Sequence, residues 1–129
     1  MVAEIIAGEL VTSPRPASPH AFAASGILTA LGGSFHGPPG NPALPGGWWI
    51  LMEPELHLDA DVLVPDIAGW RHERMPVVPN VAAFEQAPDW ICEVVSTSTA
   101  QIDRGRKMHI YAREQVRHLW LVDPLARTL

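Results

Sequence analysis

With 129 residues, 47% of them hydrophobic and 18% charged, the chain can build one compact domain around one core, too few residues for two, and it lacks the composition of a disordered tail. A single cysteine excludes an internal disulfide, no apolar run approaches membrane-spanning length, and "MVAEIIAGEL" carries acids where a secretory signal would carry bases, so a soluble, cytoplasmic protein without membrane contact is expected. The net charge of −5 argues against nucleic acid as a partner, yet residues 1–100 hold three arginines against eleven acids while 101–129 hold six bases against three acids; this basic segment is either a local phosphate-binding stretch on an acidic body or a solvated helix face.

In chain order, "GELVTSPRPASP" starts with a short apolar piece and runs into a proline-rich turn. Ser18-Pro19 reads as a helix start, with a hydroxyl at the N-cap and proline at the first helical position. His20, Ala24, Ile27 and Leu31 then recur at helical spacing, and Gly32-Gly33 closes the segment. "HGPPGNPALPGG" is a loop. "WWILM" (48–52) and "VLVPDIAGW" (62–70) are strands, and the turn "HLDAD" between them predicts a hairpin. Pro65 has no N–H, so the second strand is bulged or exposed at that point.

After a loop rich in proline and valine, residues 90–96 form a strand. "STAQ" (98–101) is a capping-box pattern in which Ser98 and Gln101 satisfy free amides of a first helical turn. That helix runs to about Glu114, with Met108, Tyr111, Ala112 and Gln115 on one stripe, and "HLWLV" (118–122) is the last strand. Strand, helix and strand with such short links predict a right-handed parallel crossover. The order α, β, β, β, α, β describes an α/β domain, a mixed sheet of about four strands flanked by helices.

The strand "WICEVVS" contains one residue out of place. Glu93 sits in an apolar run, where an unpaired carboxylate would cost several kcal/mol. Ile91, Glu93 and Val95 point to one face of the strand, Trp90, Cys92 and Val94 to the other. Cys92 is thus averted from Glu93 and reads as a small buried hydrophobe. Asp66 ends another apolar run, "VLVPD". Two strand-borne carboxylates that converge repel each other unless a cation lies between them, and hard divalent ions such as Mg²⁺ or Mn²⁺ suit oxygen ligands. The carbonyl of Val94 is a candidate further ligand. Asp103, Lys107 and Tyr111 follow at intervals of four on one helix face, so the stem of Lys107 can deliver an ammonium near Glu93, with Asp103 as its simplest ion-pair partner. A metal ion and a lysine beside a scissile phosphate form a phosphodiesterase arrangement.

Other candidates have plainer readings. His20 either lines the cleft or is a satisfied structural histidine, the second being favoured. Glu53 and Glu55 read as residues flanking a turn, with an approach to the metal as the alternative for either. His36, His57, His72, His109 and His118 show no zinc-ligand spacing. Asp59 and Asp61 lack the glycine and distal glutamate of a calcium loop. The five tryptophans lie mostly in predicted strands and are core residues first.

"AGELVTSPRPASPH", "VPDIAGWR" and above all "PDWICEVVSTSTAQIDRGRKMHIYAREQVRHLWLVDP" resemble the Uma-type restriction-endonuclease family, within the PD-(D/E)XK nuclease superfamily. The resemblance implies a restriction-endonuclease-like fold and a Mg²⁺-dependent enzyme that hydrolyses DNA. It implies Asp66 and Glu93 as metal ligands and Lys107 as the catalytic lysine, displaced onto the helix because Val95 occupies its usual place. Glu9 falls where the family has an acid near the N-terminus and is identified as an accessory ligand. Gln115 stands where the family usually has glycine, and a non-glycine residue in a left-handed C-cap costs about 1 kcal/mol, so this turn is either strained or differently shaped. Relative to the family, residues 1–129 read as one nuclease-like domain trimmed at both ends. DNA is the expected partner, and a homodimer is expected because so small a chain offers few phosphate contacts alone. Two other readings stand beside the nuclease: a catalytically silent module binding nucleic acid or a protein, and a different metal-assisted hydrolase using the same carboxylates.

Overall fold

The computed structural model describes residues 1–14, 16–40, 43–95, 101–125 and 129, with 101–103 described by their backbone alone. The predicted order is present as α1 (Ser18–Phe35), β3 (Trp48–Met52), β6 (Ile67–Arg71), β7 (Trp90–Val94), α2 (Gln101–Arg113) and β8 (His118–Val122). These strands form one mixed sheet in the order β3-β6-β7-β8, antiparallel except for the parallel pair β7 and β8. The sequence reading missed a second sheet. Strands β1 (Val2–Ile6), β2 (Glu9–Ser13), β4 (Leu56–Leu58) and β5 (Asp61–Leu63) pair in the order β2-β1-β5-β4, antiparallel throughout.

Pro65 decides this division. The expected strand 62–70 is two strands in two sheets, broken at Val64-Pro65-Asp66 where proline cannot continue the hydrogen-bond ladder. Its second half pairs with β3 as expected, from Trp48 opposite Arg71 to Met52 opposite Ile67. Its first half turns away to pair with β4 across the tight Asp59-Ala60 turn and with β1 at Val62.

The alternation within β7 assigns each face its own core. Cys92, Trp90 and Val94 join Ile50 and Ile67 beneath α1, against Ala24, Ile27, Leu31 and Phe35. Ile91 joins Ala68, Trp70, Leu56, Leu58, Leu63 and Ile6, with Ile110 and Tyr111 of α2 closing that side. The sheet β3-β6-β7-β8 therefore lies between α1 on one face and α2 with the second sheet on the other. Helix α1 differs at both ends from its expected bounds. Its N-cap is Ala17, with no side-chain cap bond and proline within the first two positions. It also continues past Gly32-Gly33 to Phe35, whose ring packs into the α1-side core. The proposed capping box at Ser98 lies outside the described residues, as does the Gln101 side chain. Gln115, after α2, has φ 63°, so the turn is left-handed and strained.

Candidate metal and phosphate site

The strand break that separates the sheets also builds the site. On either side of Pro65 the backbone N–H groups leave the ladders and need acceptors. Val64 N–H donates to Glu4 Oε2 at 2.8 Å, and Asp66 N–H donates to Glu93 Oε1 at 3.2 Å. At the end of β7, Val94 N–H donates in turn to Asp66 Oδ2 at 2.7 Å. Asp66 and Glu93 are thus joined through each other's backbone, which fixes both carboxylates at the adjacent ends of β6 and β7.

Two helices complete the cluster. Lys107, one turn before Tyr111 on α2, places Nζ 2.7 Å from Glu4 Oε2 and in contact with Glu93 Oε2. The Tyr111 hydroxyl donates to Glu93 Oε2 at 3.3 Å. From the first turn of α1, His20 Nε2 lies 3.2 Å from Asp66 Oδ1. The His20 Nδ1 is buried without a partner among the described residues.

These groups share one electrostatic character. Three largely buried carboxylates, Glu4, Asp66 and Glu93, face one ammonium and one imidazole. Burial pushes the Glu93 carboxyl upward, Asp66 and Glu4 add to that, and Lys107 opposes it. For Lys107, burial works against the charge, but Glu93 and Glu4 outweigh it and hold the ammonium well above the usual lysine range. The hydrogen bond to Asp66 raises His20, against burial, helped by Glu93 and the backbone at Val94. Every shift favours keeping positive charge in the cluster. On the far face, burial pushes the Cys92 thiol up to about 12, which fits an inert buried hydrophobe.

Asp66, Glu93, Val94 and Lys107 are brought together. Glu9 is not: it lies on an outward-facing position of β2, 66% exposed, with Oε2 2.6 Å from Arg106 Nη1. The acid that this hairpin delivers to the cluster is Glu4, on the inward face of β1. "VAEII" carried the same signal as "WICEVV", a carboxylate inside an apolar run, and the strand reading stopped short of it. His20 pairs with a site carboxylate and is part of the cluster. Glu55 is occupied at the surface by His57 Nε2 at 2.8 Å, and Glu53 approaches only through its backbone N–H, 2.9 Å from the Asp66 carbonyl. The Asp103 side chain lies outside the described residues.

The donor set fits a hard divalent ion. The carboxylates of Asp66 and Glu93 offer oxygen donors, the kind a hard divalent ion takes, and Mg²⁺ commonly binds one or two protein carboxylates and keeps several waters. Among the described residues no group of three or more His, Cys, Asp or Glu is arranged to hold an ion. No helix among the described residues is long and apolar enough to cross a membrane.

Among the solved structures similar to this chain is the crystal structure of "a putative nuclease belonging to DUF820" from Anabaena variabilis ATCC 29413. It matches with a TM-score of 0.74 at 23% identity, over 95% of this chain and 66% of that one. At that identity the likeness shows the fold, and this chain spans less than two thirds of that protein's length. No curated protein matches. A family model described as "Uma2: Putative restriction endonuclease" matches residues 2–129. Across nearly its whole length, then, the chain belongs to the Uma2 family.

Proposed function

We propose that this protein is a Mg²⁺- or Mn²⁺-dependent endonuclease that hydrolyses phosphodiester bonds of DNA in the cytoplasm. One observation carries the reading: Asp66 and Glu93 are cross-linked through backbone amides beside a buried ammonium, in a cluster with more carboxylates than cations. Asp66, Glu93 and the Val94 carbonyl would hold the ion, which when bound lowers the pKa of a coordinated water and offsets phosphate charge.

The remaining work falls to the protein's own groups. Glu93 and Glu4 hold Lys107 toward its ammonium form against burial, so it serves as a donor and a positive charge for the phosphate as negative charge builds. His20 and the Val94 N–H hold the two Asp66 oxygens. Tyr111 steadies Glu93 from the helix side. We expect a homodimer, since two chains double the phosphate contacts available to each duplex.

The test is incubation of the purified protein with supercoiled plasmid, with Mg²⁺ or Mn²⁺ and with chelator. Metal-dependent nicking or linearisation that Lys107→Ala reduces on the order of a hundredfold supports the reading. A folded wild-type protein that leaves the plasmid intact in both metals refutes it and leaves the silent binding module or a metal-assisted hydrolase of another substrate.

A further inference from the structure

Glu4 has no part in the chemistry proposed above, yet its carboxylate is about as buried as Lys107 itself. Its position explains why it is there. Strand β1 belongs to the second sheet, and Glu4 reaches out of that sheet to two elements of the site at once. Its Oε2 accepts from Val64 N–H at 2.8 Å, two residues before Asp66, and from Lys107 Nζ at 2.7 Å. One carboxylate therefore ties the chain leading into Asp66 to the lysine on α2.

Lys107 has a second partner, Glu93, but the two acids face different demands. If Glu93 gives its oxygens to a metal ion, its hold on the ammonium weakens, and a lysine stem with four rotatable carbons has many other places to go. Glu4 is fixed by a backbone donor that the ion does not compete for. We propose that Glu4 is a positioning residue that keeps the Lys107 ammonium beside the scissile phosphate while Glu93 serves the ion. This inference rests on the nuclease reading for its purpose, though the Glu4–Lys107 link can be tested apart from it.

Glu4→Gln keeps the volume and leaves an oxygen to accept from Val64, so the fold should persist. Three measurements decide the matter: Mn²⁺ titration by calorimetry, steady-state plasmid cleavage, and the ¹⁵N signal of the Lys107 ammonium in metal-free protein. Glu4→Gln should leave Mn²⁺ affinity and KM within about threefold and lower kcat on the order of tenfold or more, as displacement of a catalytic group does. The Lys107 ammonium signal, sharp in the wild type because it is shielded from water, should broaden away. Glu4→Asp, which keeps the charge on a shorter arm, should recover part of kcat and part of the signal.

Loss of Mn²⁺ affinity in Glu4→Gln by more than about a hundredfold, beyond what a residue outside the ligand set explains, would make Glu4 a ligand and overturn the proposal. An unchanged kcat with an unchanged ammonium signal would make it a structural acid and overturn it equally. A wild-type protein that cleaves nothing sinks the nuclease reading alone, and the ammonium signal then decides whether Glu4 holds Lys107.

Discussion

Gln115, in the turn after α2, has φ 63°, a conformation that costs a side-chain-bearing residue about 1 kcal/mol relative to glycine. Gln115→Gly should therefore stabilise the protein by about 1 kcal/mol, seen as a higher urea midpoint with an unchanged slope. Cys92 makes the opposite kind of prediction. It is fully buried and its thiol is pushed up to about 12, so iodoacetamide at mildly alkaline pH should label urea-unfolded protein and spare the native state. Rapid native labelling would place the thiol at an accessible surface and contradict the two-faced reading of β7. At this scale the sequence was informative where a charge stood against its surroundings, although Glu4, which stands inside an apolar run too, was not picked out. Glu93 and Asp66 announced themselves inside apolar runs, and helical spacing brought Lys107 to the same face as Tyr111. For His20 the cleft reading was raised but the structural one favoured, because its partner, Asp66, lies 46 positions along the chain, and no local pattern encodes a contact between a helix start and a strand start.

Among elements, Asp61 joins three. It accepts from Ala7 N–H in the β1–β2 turn at 2.7 Å and from Arg113 Nη2 at 3.1 Å, while the same guanidinium reaches the Leu58 carbonyl at 3.2 Å. A hydrogen bond to a buried charged acceptor contributes more than a neutral one, so Asp61→Ala should cost about 2 kcal/mol in urea unfolding. A cost near zero would mean that the Asp61 bonds do not hold the second sheet in place. That sheet was the least legible part of the fold. Its first turn is Ala7-Gly8, with φ 51° and 82°, a two-residue hairpin whose usual signature is Asn or Asp before glycine. Alanine in that place conceals the turn. Strand β2 is exposed on nearly every residue, so it lacks the alternation that marks a half-buried strand. Pro65, by contrast, was marked in the sequence, but as a bulge or an exposed point within one strand and not as a break. What the pattern did not contain is that the chain changes sheets there.

For the whole molecule, the DNA partner proposed above would have to be met by a protein of net charge −5 through a local basic surface. The basic segment is less available than its composition suggests. Arg106 pairs with Glu9, and Arg113 with Asp61 and Glu114, whereas Arg104 and Arg117 make no ion pair among the described residues. Each phosphate neutralised contributes about −0.9 to the slope of log affinity against log salt. Arg104→Gln with Arg117→Gln should therefore flatten that slope more than Arg106→Gln with Arg113→Gln. A DNA affinity indifferent to salt and to all four arginines would remove nucleic acid as the partner. The central claim, however, is that Asp66 and Glu93 hold a divalent ion, and calorimetric titration with Mn²⁺ tests it most directly. The wild type should take up about one ion per chain, with carboxylate and water as its ligands. Asp66→Asn and Glu93→Gln, which remove one ligand charge without changing volume, should each abolish binding while circular dichroism shows an intact fold. A wild-type protein that binds no Mn²⁺, or variants that bind it as tightly, would contradict the account.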